Sequence, residues 1–181
     1  GAFPLHQLID KYKGTNKSLS FDEETINNLM NTQYGNAFAF MVLSLIYPLN
    51  HHYVFHQDHI HPKKFFSDKE LIKMGLTDES VRANFKNSYN TIGNLQLIQE
   101  TENLEKNATP FKIWVEAKYL DADLTNYKNL HHIPLDNDLQ MTNFVDFFNK
   151  RRETIKRKLM DLLNVKNQGT EVVETEELVE E

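Results

Sequence analysis

The stretch Phe55-His56-Gln57-Asp58-His59-Ile60-His61-Pro62 decides how this chain is read. An acid and an imidazole stand side by side in it. Just before them, the aromatic and β-branched run at 52–56 predicts a short strand. Farther on, Ile92-Gly93-Asn94-Leu95-Gln96-Leu97 leads into a second predicted strand over 95–98, and Asn103 follows on what reads as helix. The region between the strands is too long for a tight hairpin. It carries helical signals of its own: Ser67 with Glu70 as a capping box, Gly75 as a stop, and Thr77 as the start of a helix through Val81 and Phe85.

Outside this region helix dominates. Leu5, Leu8 and Ile9 share a helical face, and Ser20 with Glu23 forms a capping box before Ile26, Leu29 and Met30. Asn36 is placed to cap an apolar helix that ends near Pro48. That run is too short to cross a bilayer and reads as a core helix, so no membrane partner is expected. Thr109-Pro110 starts a helix with Phe111, Trp114, Val115, Lys118 and Tyr119 on one side. A last long helix near 142–163 has Phe144, Phe148, Ile155, Leu159 and Leu162 as its buried stripe. The expected fold class is α+β, mostly helical, with one small β-element inserted. One domain is expected over 3–165, followed by an acidic, solvated tail over 166–181.

Composition supports a packed domain: 181 residues, 40% apolar, with twelve Phe and seven Tyr. The absence of cysteine excludes a disulfide scaffold, a thiol nucleophile and a thiolate zinc site, and it accords with an expected cytoplasmic location. The net charge of −6 is uninformative until it is located. The segment 171–181 holds six Glu and no base, so the remainder of the chain is neutral. Just upstream, Lys150, Arg151, Arg152, Lys156, Arg157 and Lys158 are opposed by Glu153 alone. That cluster reads equally as a solvated helix face or as a phosphate-contacting stripe, with Arg151 falling where the buried stripe would continue. Lys63 and Lys64, directly after the Asp-His motif, are better placed for phosphate contacts.

Hydrolysis of a phosphodiester needs an activated water, neutralised charge on the phosphorane and help for the leaving oxygen. An imidazole accepts a proton near neutral pH, because its unperturbed pKa is about 6.5. A carboxylate and an amide supply the hard oxygen ligands that suit one Mg²⁺ while leaving positions for water and phosphate. Neighbouring strand residues point to opposite faces, so Asp58 and His59 would approach such a centre from two sides. Asn103 would approach from the helix that follows.

Asp58-His59-Ile60-x-Pro62, then Ile92-Gly93-Asn94-Leu95-x-Leu97-Ile98, then Asn103 nine residues after Asn94, resembles the HNH (ββα-metal) nuclease domain. In particular it looks like the C-terminal HNH domain of GmrSD-type, modification-dependent (type IV) restriction endonucleases. The likeness extends through Pro110-Phe111 and to the helical lead-in from Tyr34-Gly35 to Tyr47-Pro48, covering most of 20–160, with the ββα core at about 52–109. The resemblance implies His59 as general base, Asp58 and Asn103 as metal ligands, and Asn94 as the residue that helps to orient the base. It also implies Lys106 near the phosphate, where RNA-guided HNH nucleases carry a lysine. It further implies a metal-dependent endonuclease of antiphage defence, using Mg²⁺ (alternatively Mn²⁺ or Ni²⁺) on duplex or nicked DNA rather than RNA. With no cysteine pairs, no structural zinc is expected. The nucleotide-dependent domain of GmrSD-type proteins would lie outside this chain.

Several residues carry competing readings. His61 reads as a substrate or metal neighbour and His56 as structural, while His51-His52 and His131-His132 read as loop residues without a partner. Gly93 is expected where a side chain would crowd the site. Asn107, on the same helical face as Asn103, is its rival for the metal. Trp114 is core. The alternative to an active nuclease is a module on the same framework that binds nucleic acid, or regulates, without cutting. The oligomeric state is open.

Overall fold

The computed structural model describes residues 22–50 and 52–163. The predicted helix around Leu5 to Ile9, the Ser20 cap and the acidic tail lie outside these residues. The fold is α+β and mostly helical, around one two-stranded antiparallel sheet. Among the described residues no helix is long and apolar enough to cross a membrane.

Helix α1 (Glu23–Met30) is capped by Asp22, whose carboxylate accepts from Thr25 N at 2.7 Å. Helix α2 (Ala37–Ile46) is capped by Asn36, as expected, and Tyr47-Pro48 ends it. Strand β1 spans Phe55–His59, three residues later than the predicted 52–56. The shift has a local cause. Asn50 Oδ1 accepts from His52 N at 3.0 Å and Asn50 O from Tyr53 N at 3.1 Å, which turns 50–53 away from extended pairing. Strand β2 (Leu95–Gln99) then pairs with β1 in the register Phe55↔Gln99 to His59↔Leu95, so Asp58 lies opposite Gln96.

Between the strands a 3₁₀ turn (Lys63–Phe66) precedes α3 (Asp68–Lys73), capped by Ser67, and α4 (Glu79–Ser88). Gly75 has φ +89, the left-handed stop that glycine suits. Asp78, not Thr77, caps α4, because its carboxylate reaches both Ser80 N and Val81 N. A 3₁₀ turn at Ile92–Asn94 enters β2, and α5 (Glu100–Lys106) leaves it to pack back across both strands. Helix α6 (Phe111–Lys118) begins after Pro110 as predicted. Helix α7 (Asp121–Leu130), for which the sequence raised no expectation, precedes the long α8 (Phe144–Leu162).

The strand alternation divides the core. Leu95 and Leu97 join Ile26, Met30, Val42, Leu43, Ile155 and Leu159 on one side. Ile98 joins the aromatic half, with Phe66, Phe85, Phe111, Trp114, Phe144 and Phe147, on the other. Helix α8 contributes to both halves, which is why its apolar stripe is so long.

Gly93 is required by this packing rather than by crowding at a site. A Cβ there would lie 2.4 Å from Phe148 Cε2 and 2.6 Å from Cδ2, inside a buried ring of α8. Gly93→Ala is expected to cost about 2 kcal/mol or more through overpacking, read as a lowered urea midpoint at unchanged slope.

The basic cluster is largely absorbed by the fold. Arg151 is fully buried, Arg152 donates to Met30 O at 3.0 Å, Lys156 pairs with Glu23 at 2.7 Å, and Lys150 pairs with Asp136 and Asp146. The phosphate-stripe reading of 150–158 thereby loses most of its cations.

Candidate active site

Two clusters form on opposite faces of β1, as the alternation at Asp58 and His59 demands. The first is built on Asp58. Its Oδ2 accepts from Lys106 Nζ at 2.7 Å and from Gln96 Nε2 at 2.9 Å, and Gln96 Oε1 in turn accepts from Tyr127 OH at 3.0 Å. Gln96 meets Asp58 because the register sets them directly opposite on one sheet face. The Lys106 ammonium, fully buried, also donates to the backbone carbonyl of His59 at 2.5 Å. Burial pulls its pKa down while the Asp58 carboxylate holds it up. Helix α5 is also held by Tyr119, whose hydroxyl donates to Glu102, one turn before Lys106.

Asp58 Oδ1 makes no hydrogen bond among the described residues, and the Asp58 side chain is 15% exposed. Asn103 lies one helical turn before Lys106, hence on the same side of α5, and is half-buried. Asn107 ends that helix with φ +46 and is exposed. Among the described residues no group of three or more His, Asp or Glu is placed to hold a metal ion. One carboxylate with a spare oxygen and one amide nonetheless fit Mg²⁺, which keeps most of its water and takes few protein ligands.

The second cluster surrounds the His59 ring, which is 8% exposed. Its Nε2 lies 3.0 Å from Asn90 Oδ1. The other end of the same amide, Asn90 Nδ2, donates to Gln33 Oε1 at 3.4 Å, which orients the oxygen toward the imidazole. Nε2 therefore carries the proton and Nδ1 keeps its lone pair. Tyr34 packs on the ring at 4.5 Å between centroids and Tyr89 at 5.9 Å. Burial lowers the pKa of His59, opposed by its bond to Asn90 and by the charge of Asp58.

Asn94 acts on backbone, not on the imidazole. Its Oδ1 accepts from His61 N at 2.9 Å, and its Nδ2 donates to His61 O at 3.0 Å and Tyr89 O at 2.9 Å. It staples the segment leaving β1 to the segment that carries Asn90, and Asn90 is the residue that meets the His59 ring. Neither Asn90, Gln96 nor Tyr34 has a sequence signal of its own. Gln96 alone follows once the register is known.

His61 is corrected outright as a substrate or metal neighbour. Its ring is 1% exposed, edge-on to Phe111, Phe144 and Phe147, and its Nε2 has no partner. Lys63 and Lys64 are exposed just beyond. His131 and His132 are not loop residues without partners: both are buried, with His131 Nδ1 3.1 Å from Tyr47 OH and His132 Nε2 3.1 Å from Ile46 O. Trp114 is core as read.

These buried rings make the fold acid-labile. Burial pushes His61 down to about 3 and His132 to about 4, and holds His131 well below its ordinary value. Because the folded values lie below the unfolded one, the unfolded chain takes up protons first. The stability is complete above about pH 6.5 and is lost as pH falls from there toward the folded values. At about pH 5 a fully buried ring costs about 2 kcal/mol. His61→Phe is expected to make the fall in urea midpoint between pH 7 and pH 5 shallower by about that amount.

No protein-family model and no curated protein matches the chain.

Proposed function

We propose that this chain is a nuclease domain of HNH (ββα-metal) type that hydrolyses DNA phosphodiester bonds, within a modification-dependent restriction or antiphage protein. The strand pair and α5, at about 52–109, serve as its ββα core. The observation that carries the reading is the setting of His59: its Nε2 lies 3.0 Å from Asn90 Oδ1, Nδ1 makes no hydrogen bond among the described residues, and the next residue in sequence is a carboxylate with an unused oxygen.

In this reading His59 Nδ1 accepts the proton of the attacking water, and Asn90 keeps the ring in the tautomer that can do so. Asn94 is a positioning residue, since it holds the backbone on which both stand. Lys106, itself buried, fixes the Asp58 carboxylate and the His59 carbonyl, and so acts on the phosphate through the groups it positions. Lys63 and Lys64 contact the DNA backbone without reading sequence. Bound Mg²⁺, or Mn²⁺ or Ni²⁺ in its place, would be held by Asp58 and Asn103 and supplies charge neutralisation at the phosphate.

One observation favours a second reading. The Asp58 carboxylate is already neutralised by Lys106 at 2.7 Å, an arrangement that also suits a module that binds DNA without cutting. Incubation with supercoiled plasmid in Mg²⁺, Mn²⁺ or Ni²⁺, against an EDTA control, separates the two. The nuclease reading expects metal-dependent nicking ahead of linear product, since one centre cuts one strand. DNA binding with no cleavage in any of the three metals would establish the second reading instead.

A further inference from the structure

Tyr34 lies in a loop pinned at every residue. Gln33 bridges Thr91, Tyr34 N donates to Asn90 O at 2.9 Å, Gly35 N donates to Gln57 Oε1 at 3.0 Å, and Gln57 Nε2 donates to Asn36 O at 3.2 Å. Gln57 and His59 share one face of β1, so these bonds hold the loop against the His59 side of the sheet. The Tyr34 ring consequently packs on the His59 imidazole at 4.5 Å and 31°. Yet Tyr34 is 46% exposed, and Phe38, two residues past the Asn36 cap, is 60% exposed. Tyr34 on the pinned loop and Phe38 in the first turn of α2 thus leave aromatic surface open to water. Lys63 and Lys64, four and five residues past His59, are also exposed, so aromatic and cationic surface are both open to water in this part of the chain. Planar aromatic surface beside positive charge is the arrangement that binds single-stranded nucleic acid: the cations follow the phosphates and the rings stack the bases.

We infer that Tyr34 is a stacking platform for an unpaired nucleobase next to the phosphate at His59, so that the preferred substrate is single-stranded or locally unpaired DNA rather than continuous duplex. The inference rests on the nuclease reading for the position of that phosphate. A base within an intact duplex has both π-faces covered by its neighbours and cannot lie on Tyr34 without unstacking, which costs a few kcal/mol in the duplex. An unpaired nucleotide avoids that cost.

The test is equilibrium binding by anisotropy, in EDTA so that cleavage is absent, of a fluorescein-labelled oligothymidylate and of a blunt duplex of matched length. Tyr34→Leu is expected to weaken oligothymidylate binding about tenfold, the size of one base–aromatic stack, and duplex binding less than about twofold. Tyr34→Phe, which keeps the ring, should bind as wild type does. Tyr34→Trp adds an exposed fluorophore beside the buried Trp114, and its emission should be quenched over the oligothymidylate range in which anisotropy rises. Equal loss on both ligands, no loss on either, or no quenching in Tyr34→Trp overturns the inference. The quenching arm stands even where Tyr34→Leu fails to fold. Mg²⁺-dependent cleavage is scored separately. A chain that cuts but ignores position 34 in binding loses this inference and keeps the nuclease reading. A chain that stacks the base but never cuts loses the nuclease reading and keeps the base platform.

Discussion

His59→Ala is expected to cleave DNA at least about a hundredfold more slowly than wild type at neutral pH, the lower end of what a positioned general base contributes. The loss should appear at saturating DNA, because the ring is only 8% exposed and Lys63 and Lys64 remain to hold the backbone. Added imidazole should restore part of the rate, since it replaces the missing proton acceptor without repairing anything else. A structural role would not respond to imidazole. Removing the ring vacates a place between Tyr34 and Tyr89, so a fall in thermal midpoint of a few degrees is expected and does not account for a hundredfold loss. A His59→Ala chain that cuts as fast as wild type would falsify the assignment of the base.

Arg151→Met should strongly destabilise the fold. The guanidinium is fully buried, and no carboxylate stands among its hydrogen-bond partners. Its charge is instead spread over carbonyls: Nε donates to His131 O at 2.9 Å, and Nη1 donates to Ile92 O and Gly93 O, each at 3.0 Å. Nη2 reaches Tyr47 OH at 3.4 Å. Methionine fills similar apolar volume but leaves those carbonyls buried without a donor, at about 1–3 kcal/mol each. The total, about 4 kcal/mol or more, is a large share of the 5–15 kcal/mol that holds a typical domain. Urea unfolding followed by Trp114 fluorescence measures it. Arg152→Met, which gives up one partly exposed bond to Met30 O, is the matched control and should cost about 1 kcal/mol. An Arg151→Met midpoint equal to that of Arg152→Met would show that the carbonyl cage carries no stability. The same three carbonyls tie α8 to the 92–94 turn and to the end of α7, so Asn94, and through it the segment bearing Asn90, depends on a residue remote from the site.

The elements with strong local codes were legible. Asn36, Ser67, Gly75 and Pro110 each act as their chemistry predicts, because a cap or a stop is decided within four or five residues. Thr77 lost the cap to Asp78, its neighbour, whose carboxylate makes two bonds to backbone where a hydroxyl makes one. The strand at 52–56 was misplaced because Asn50 bonds the backbone of His52, a local competition that β-propensity does not register. His61, His131 and His132 were misjudged for a different reason. Nothing in a histidine's immediate sequence distinguishes a ring enclosed by Phe111, Phe144 and Phe147 from one open to solvent.

What the sequence settled by itself was the mostly helical α+β character, the presence of a second strand at 95–98, and the adjacency of Asp58 to His59. All three follow from periodicity, capping and covalent neighbourhood, which are local. What only the tertiary structure decided was which groups those two side chains meet: Gln96 and Lys106 for the carboxylate, Asn90 and Tyr34 for the imidazole. Those encounters depend on strand register, on the return of α5 across the sheet and on a loop tied down more than twenty residues away. Each is fixed by how buried surfaces fit together, which no single segment encodes.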